Sequence, residues 1–360
     1  MDTIIIGGGQ AGLAMAQCLG RRGQEAVIFD ASPAIGFSWR ERYDSLKLFT
    51  PAQYCSLPGM RFPAPDNHYP SKDEVADYLG EYAARFRLDV RLAHRVSRLS
   101  HDGTAFIVEC GREAFRSSNV VGAAGALQTP WTPAFAKVLD ASVVQLHSHQ
   151  YRRPTDLPLG PVVVVGAGNS GAQIAAELCQ DRAVSLSFGK WPRSFPQRWL
   201  GQDIFWWLKL SGYLDRPRKP DAVAQETVGA IPLIGTELRR LVRRGDIRRR
   251  PFTVDVDGAD LIYSDGAREN PKTVIWSTGY SQTWDWIDLP GIPQVGEPPH
   301  VRGVTPIPGC YFVGLPGLHT KGSGFLGFVG RDTEFLAKQI QKRMAGLHRR
   351  TTSKGQLRNV

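Results

Sequence analysis

Several things are missing from this chain of 360 residues, and each absence closes a reading. Its five cysteines, Cys18, Cys55, Cys110, Cys179 and Cys310, include no C-x-x-C pair and no metal-ligand spacing. That argues against a dithiol reductase of the C-x-x-C kind and against a bound metal, and scattered thiols fit a reducing cytoplasm. No apolar run is long enough to span a bilayer. Residues 3–20 are uncharged, but no cation precedes them and glycines interrupt them at 7–9, so they read as strand, turn and helix and not as a leader. The stretch IFWWLKLSGYL, 204–214, is too short for a membrane span and contains Lys209. Acid is absent from the last twenty residues, which carry six Lys or Arg, so 346–360 reads as a basic disordered tail. A second basic run, RRLVRRGDIRRR at 239–250, has seven Arg against one Asp. Such runs are ordinarily solvated faces. The net charge of +10 comes with no nucleic-acid-binding motif, so no nucleic-acid partner is expected.

Glycine is abundant, at 38 residues, and its placement is informative. GGGQAGLAMAQCLGRRGQEAVIFD, 7–30, aligns without a gap with GAGNSGAQIAAELCQDRAVSLSFG, 166–189. Each follows a β-branched run, TIII or PVVVV, and each has G-x-G-x-x-G spacing: Gly7, Gly9, Gly12, then Gly166, Gly168, Gly171. Each reads as a βαβ unit whose turn, with Asn169 and Ser170 in the second copy, receives a dinucleotide pyrophosphate at a helix N-terminus.

The last aligned residue distinguishes the copies. Asp30 can accept hydrogen bonds from the hydroxyls of an unphosphorylated adenosine ribose, as in FAD. Gly189 cannot. Lys190 and Arg193 follow it and suit a 2′-phosphate, which points to NADPH, with NADH left open. The expected fold is α/β with two Rossmann-like dinucleotide-binding domains. The FAD domain comprises 1–155 and 285–345, and the NAD(P)H domain, 156–284, is inserted in it. Around these units, a helix is expected over 71–86 with Ser71 as N-cap and Glu74 in a capping box. AFIVEC and AFRSSNVVGAAG read as strands of one small sheet, PKTVIWSTGY and CYFVGLPG as further strands, and 324–344 as a final helix. The aromatic run 191–208 reads as the wall of a substrate pocket or as core.

GGGQAGLAMA, GFSWRERYDSLKLFTPAQYCSLPGMRFP, YPSKDEVADYLGEYAARF, LHSHQYRRP, VVVVGAGNSGAQIAAEL, VIWSTGY and YFVGLPGLHTKGSGFLGFVGRD together resemble the group B flavin-dependent monooxygenases. These include the flavin-containing monooxygenases and, more distantly, the Baeyer–Villiger enzymes. The likeness is closest to short bacterial members and, over 46–63, to the plant indolepyruvate monooxygenases. It implies that Trp39, Arg40 and Gln53 lie near the flavin and ribityl chain, and that the Val96 backbone touches adenine. Gly125, Thr278 and Gly279 would lie where the domains cross. Gly324, Phe325 and Leu326 would begin a helix aimed at the flavin. Reduced FAD would capture O2 as a C4a-(hydro)peroxide and oxygenate a small sulfide, amine or carbonyl compound. The resemblance also admits a homodimer.

Two departures stand out. His147 and Tyr151 match the end of the family fingerprint, but Ala141 and Val143 replace its Phe and Gly, and His147 reads as a linker residue. Pro51 stands where flavin-containing monooxygenases have an Asn that assists oxygenation, which argues against strong amine N-oxygenation. The alternative functions are a flavoprotein reductase or oxidase using NAD(P)H, and a redox accessory protein that inserts no oxygen.

Overall fold

The structure is a computed structural model that describes residues 1–218, 232–235 and 237–356, with side chains as far as Leu347. It is α/β, with two five-stranded sheets, each wholly parallel. In chain order the sheet strands are β1 Thr3–Ile6, β2 Ala26–Phe29, β3 Asp89–Arg91, β4 Asn119–Gly122, β5 Val144–His147, β6 Val162–Val165, β7 Val184–Ser187, β8 Ile247–Arg250, β9 Thr273–Trp276 and β10 Cys310–Phe312. The helices are α1 Gln10–Gly20, α2 Phe37–Arg40, α3 Lys72–Arg85, α4 Asn169–Leu178, α5 Ile204–Leu210, α6 Glu237–Arg244 and α7 Gly330–Gln356.

The first sheet runs β10-β4-β1-β2-β3 and the second β8-β7-β6-β9-β5. They share one plan, with β1 or β6 at the centre and the second and third strands of the unit to one side. β1 and β6 are buried along their whole length, which is why both read as continuous β-branched runs and not as alternating ones. The likeness extends beyond the aligned residues. Between β3 and β4 lies an antiparallel meander, Arg98–His101, Phe106–Cys110 and Glu113–Ser117. Between β8 and β9 lies another, Thr253–Asp257, Asp260–Tyr263 and Arg268–Glu269. Each covers one face of its sheet, and helices cover the other: α1, α3 and α7 in the first unit, α4 and α6 in the second.

Several expectations shift. The residues AFRSSNVVGAAG serve two sheets, because the chain leaves the meander at Ser117 and enters the parallel sheet at Asn119. Strand β5 falls within the expected first domain, yet it pairs with β9 at the edge of the second sheet. The helix over 71–86 forms as Lys72–Arg85, with Ser71 and Glu74 in a reciprocal capping box. The last helix starts at Gly330, not Gly324, and a short turn, Leu326–Phe328, precedes it. The segment is held there because Gly327 lies against the chain: a Cβ on it would come 2.0 Å from the Tyr54 carbonyl oxygen. The helix then continues to Gln356, so the expected disordered tail is helical as far as that residue, and 357–360 lie outside the described residues.

Candidate functional site

Both glycine turns stand at the C-terminal ends of central strands, where strand order reverses and open parallel sheets take ligands. Their backbones repeat each other. Gly7 has φ +113° and Gly166 φ +106°, left-handed conformations that favour glycine. A Cβ on Gly7 would lie 2.6 Å from the Ala123 carbonyl oxygen, and one on Gly166 2.3 Å from that of Ser277. A Cβ on Gly12 would lie 1.9 Å from the Gly7 oxygen, and one on Gly171 2.0 Å from the Gly166 oxygen. Packing alone therefore requires these four glycines.

The middle pair is different. Gly9 (φ −75°, ψ −174°) and Gly168 (φ −71°, ψ −178°) have ordinary extended backbone as N-caps of α1 and α4. A Cβ on either would meet nothing within 4 Å. Ser, Asp or Asn would cap these helices better. The protein's own packing gives no reason for glycine here, whereas a pyrophosphate lying against the turn does. Neither helix has a side-chain cap or an acid in its first turn to compete with such a ligand.

The ends of β2 and β7 differ as charges. The Asp30 carboxylate lies over the first turn, accepting from the Gly8 N–H at 2.5 Å and the Ser32 N–H at 2.7 Å. At the matching place Gly189 is exposed. Lys190 and Arg193 are exposed too, and neither makes an ion pair with a described residue. A third cation, Arg249, was not singled out by the sequence. Strand β8 pairs with β7 in register Leu186↔Arg249, which brings Arg249 to the same edge. Its guanidinium donates to the Gly189 carbonyl at 2.9 Å and stacks over Phe188 at 5.0 Å. Trp191 lies between two guanidinium groups, those of Arg239 at 5.4 Å and Arg249 at 5.7 Å. Part of the basic run 239–250 is therefore built into the site edge. The pairing of second and third strands was the signal that pointed there.

Other expected residues fall into two groups. Gly125 (φ +74°) and Gly279 (φ +89°) flank a two-stranded crossing of Thr129–Pro130 with Tyr280–Ser281. Thr278 donates its hydroxyl to the Trp131 carbonyl in the same crossing. Gln53 pairs with Asn67 and lines a cleft of about 320 Å³ with Tyr54, Lys209, Phe328 and Arg331. Gly324 (φ +95°) precedes Phe325, whose ring meets Phe49 and Phe205 edge-on, and the buried Leu326. Trp39 packs on the first core, and Val96 on the core beneath the meander. Arg40 and Asn169 are spent locally. Arg40 binds Asp77 at 2.5 Å, and the Asn169 amide bonds Pro232 and Ile234. Ser170 is exposed on the second turn. The run 191–208 divides: Phe195 and Phe205 pack with Phe49, Tyr54 and Phe325, while Trp199 and Trp206 face outward.

His147 is a clasp. Its Nε2 lies 3.0 Å from the Gly279 carbonyl and its Nδ1 accepts from the His149 N–H at 3.1 Å, so the neutral ring satisfies both. Burial lowers the pKa of His147, His149 and His319. A histidine with a depressed folded pKa takes up its proton more readily when unfolded, so stability is complete above about 6.5 and falls as pH drops below it. The melting temperature is expected to decline over that window. His147→Gln, which keeps a donor and cannot titrate, is expected to flatten the decline; an unchanged slope would remove His147 from this role.

The family described as pyridine nucleotide-disulphide oxidoreductase matches residues 4–195, more than half of the chain. An uncharacterized CzcO-like oxidoreductase of Geobacillus kaustophilus is 40% identical over 341 residues, covering 94% of this chain and 98% of that protein. An indole-3-pyruvate monooxygenase of Oryza sativa subsp. japonica is 26% identical, over 94% and 91%. A flavin-containing monooxygenase from Stenotrophomonas maltophilia superposes with TM-score 0.78 at 26% identity, over 95% of this chain and 98% of that one. The chain belongs to the pyridine nucleotide-disulphide oxidoreductase family, within which it is a flavin monooxygenase-like oxidoreductase.

Proposed function

We propose that the first glycine turn holds FAD and the second NADPH, and that the enzyme inserts one oxygen atom of O2 into a small organic substrate. The observation that carries this reading is the pair of middle glycines, Gly9 and Gly168, that the fold itself does not need. Asp30 would accept from the FAD ribose. Lys190, Arg193 and Arg249 would face the 2′-phosphate of NADPH. The remaining residues named above would lie along the two cofactors: Trp39, Gln53, Val96, Gly125 and 324–326 for FAD, Thr278 and Gly279 at the crossing. The division we propose is an FAD domain with an inserted NADPH domain, the inserted part taking in β5, which pairs with β9.

FAD, held along the first glycine turn and Asp30, would supply the redox chemistry. Overall, substrate, O2, NADPH and a proton give oxygenated substrate, NADP+ and water. The chain's part is to orient and to keep water out. The rings of Phe49, Tyr54, Phe205 and Phe325 form a dry wall beside Gln53. Sulfides and carbonyl compounds are the proposed substrates. Dithiol chemistry is disfavoured, because the described cysteines are unpaired and burial pushes the thiols of Cys55 and Cys310 up to about 12. Unpaired thiols also suit the cytoplasm, where we place the enzyme.

Mixing the reduced enzyme with O2 in a stopped flow tests the reading. A transient flavin adduct that decays faster with a sulfide or ketone, with matching oxygenated product, is expected. Immediate reoxidation with one peroxide released per NADPH, and no product from either class, would leave a reductase or oxidase instead.

A further inference from the structure

The stretch 198–210 carries features that neither cofactor site uses. Residues Arg198–Trp199 and Gln202–Asp203 form a hairpin whose two-residue loop is Leu200-Gly201. Both loop residues have positive φ, +49° and +77°, the conformation of a turn that favours Asn-Gly. Leucine is a poor choice there on backbone grounds. It is also a poor choice on solvation grounds, because Leu200 is 72% exposed. An outlier of this kind points to something the residue does outside the fold.

Its surroundings share that character. Trp199 is 51% exposed and its ring lies 4.8 Å from Trp207, which is itself 4.8 Å from Trp206. The Trp207 indole N–H donates to the Trp199 carbonyl and ties the hairpin to α5. Helix α5 buries Ile204 and Phe205 and presents Trp206 and, one turn on, Leu210 to solvent. The exposed apolar side chains therefore lie on a hairpin and a helix that are tied together through Trp207, with Leu200 in the hairpin turn. Arg198, in the hairpin itself, and Arg216, six residues beyond Leu210, are both exposed. The two nearby acids do not offset them: Asp203 is buried as the cap of α5, and Asp215 is paired with Arg331.

We propose that this hairpin and the outer face of α5 dock the enzyme on an anionic lipid bilayer, with Trp199, Leu200, Trp206 and Leu210 entering the headgroup boundary and the cations meeting lipid phosphates. Trp at the interface, aliphatic side chains just below it and basic residues beside them are the composition of a surface that lies in a membrane without crossing it. A second copy of the chain is a weaker occupant. A stable interface needs roughly 800 Å² and 20–30 residues per side, and this patch presents four exposed apolar side chains, Trp199, Leu200, Trp206 and Leu210.

The test is co-sedimentation of the FAD-loaded full chain with phosphatidylcholine vesicles, with and without phosphatidylglycerol. Binding only to the anionic vesicles, weakening with salt and accompanied by a blue shift of tryptophan emission, is expected. Leu200→Asn separates docking from folding, since Asn accepts a positive φ. It should melt no lower than wild type, keep its rate of flavin reduction by NADPH, and bind vesicles about tenfold more weakly. Leu210→Gln should act in the same direction. Failure of wild type to pellet with anionic vesicles would overturn the proposal, as would variants that bind like wild type. A wild-type dimer in light scattering that Leu200→Asn splits would assign the patch to a second copy and overturn it too.

Discussion

Gly9→Ala should melt within a few degrees of the wild type, compared as apoproteins, and yet purify without its flavin. The position has ordinary backbone angles and no neighbour within 4 Å of a new Cβ, so folding loses only the N-cap advantage of glycine over alanine, at most about 1 kcal/mol. The methyl group would occupy the space where the FAD pyrophosphate must approach the backbone. A loss in FAD affinity of about a hundredfold, close to 3 kcal/mol, is expected. The apoprotein comparison matters because bound FAD itself raises the melting temperature. Gly12→Ala is the contrasting case. Its Cβ would sit 1.9 Å from the Gly7 carbonyl oxygen, and neither partner is a flexible side chain. Helix α1 would have to leave β1, at a cost of about 3 kcal/mol through overpacking, so the apoprotein itself should melt earlier. Flavin absorbance per protein and thermal melts separate the two. A Gly9→Ala protein as yellow as wild type would remove the main support for the FAD assignment.

Arg249→Ala should raise the NADPH half-saturation constant for flavin reduction and leave NADH nearly unchanged. The reason is charge at one edge of the second unit. Gly189 puts no carboxylate there, and Arg249 is already fixed by the Gly189 carbonyl and the Phe188 ring, so little ordering remains when a phosphate arrives. A lost charged contact of roughly 1.5–3 kcal/mol corresponds to about tenfold to a hundredfold in NADPH binding. Lys190→Ala and Arg193→Ala should act in the same direction but more weakly, because both side chains are exposed and unanchored. Rates measured against both nucleotides decide the matter. A wild type that uses NADH as well as NADPH would sink the assignment of these cations to the 2′-phosphate.

The glycine turns were legible because their demands are local: a positive φ at Gly7, a close approach at Gly12 and a carboxylate at Asp30 all leave marks within one stretch of chain. Arg249 was not legible, because it acquires its place only through the pairing of β8 with β7. Within RRLVRRGDIRRR nothing separates it from neighbours that face solvent. The repeat was likewise visible over 24 aligned residues, although the structure repeats the third strand, the meander and the fourth strand as well. The third strands, Asp89–Arg91 and Ile247–Arg250, are short and partly exposed and carry no shared apolar pattern, while the fourth, Asn119–Gly122 and Thr273–Trp276, are buried but too short to align by sequence. The start of α7 was misplaced because a contact with Tyr54, far away in sequence, sets the turn that precedes it.

Strand β10 joins the first sheet beside β4, yet it is made after every strand of the second sheet. On the ribosome, then, the unit that starts first finishes last. The outer edge of β4 stays unpaired, and the face of α1 that α7 covers stays bare, while the whole second sheet emerges and closes. An open parallel edge backed by apolar surface is what other nascent chains and chaperones recognise. The nested layout therefore gives this protein a window of vulnerability during synthesis, which ends only when Cys310–Phe312 and the helix behind them have left the exit tunnel.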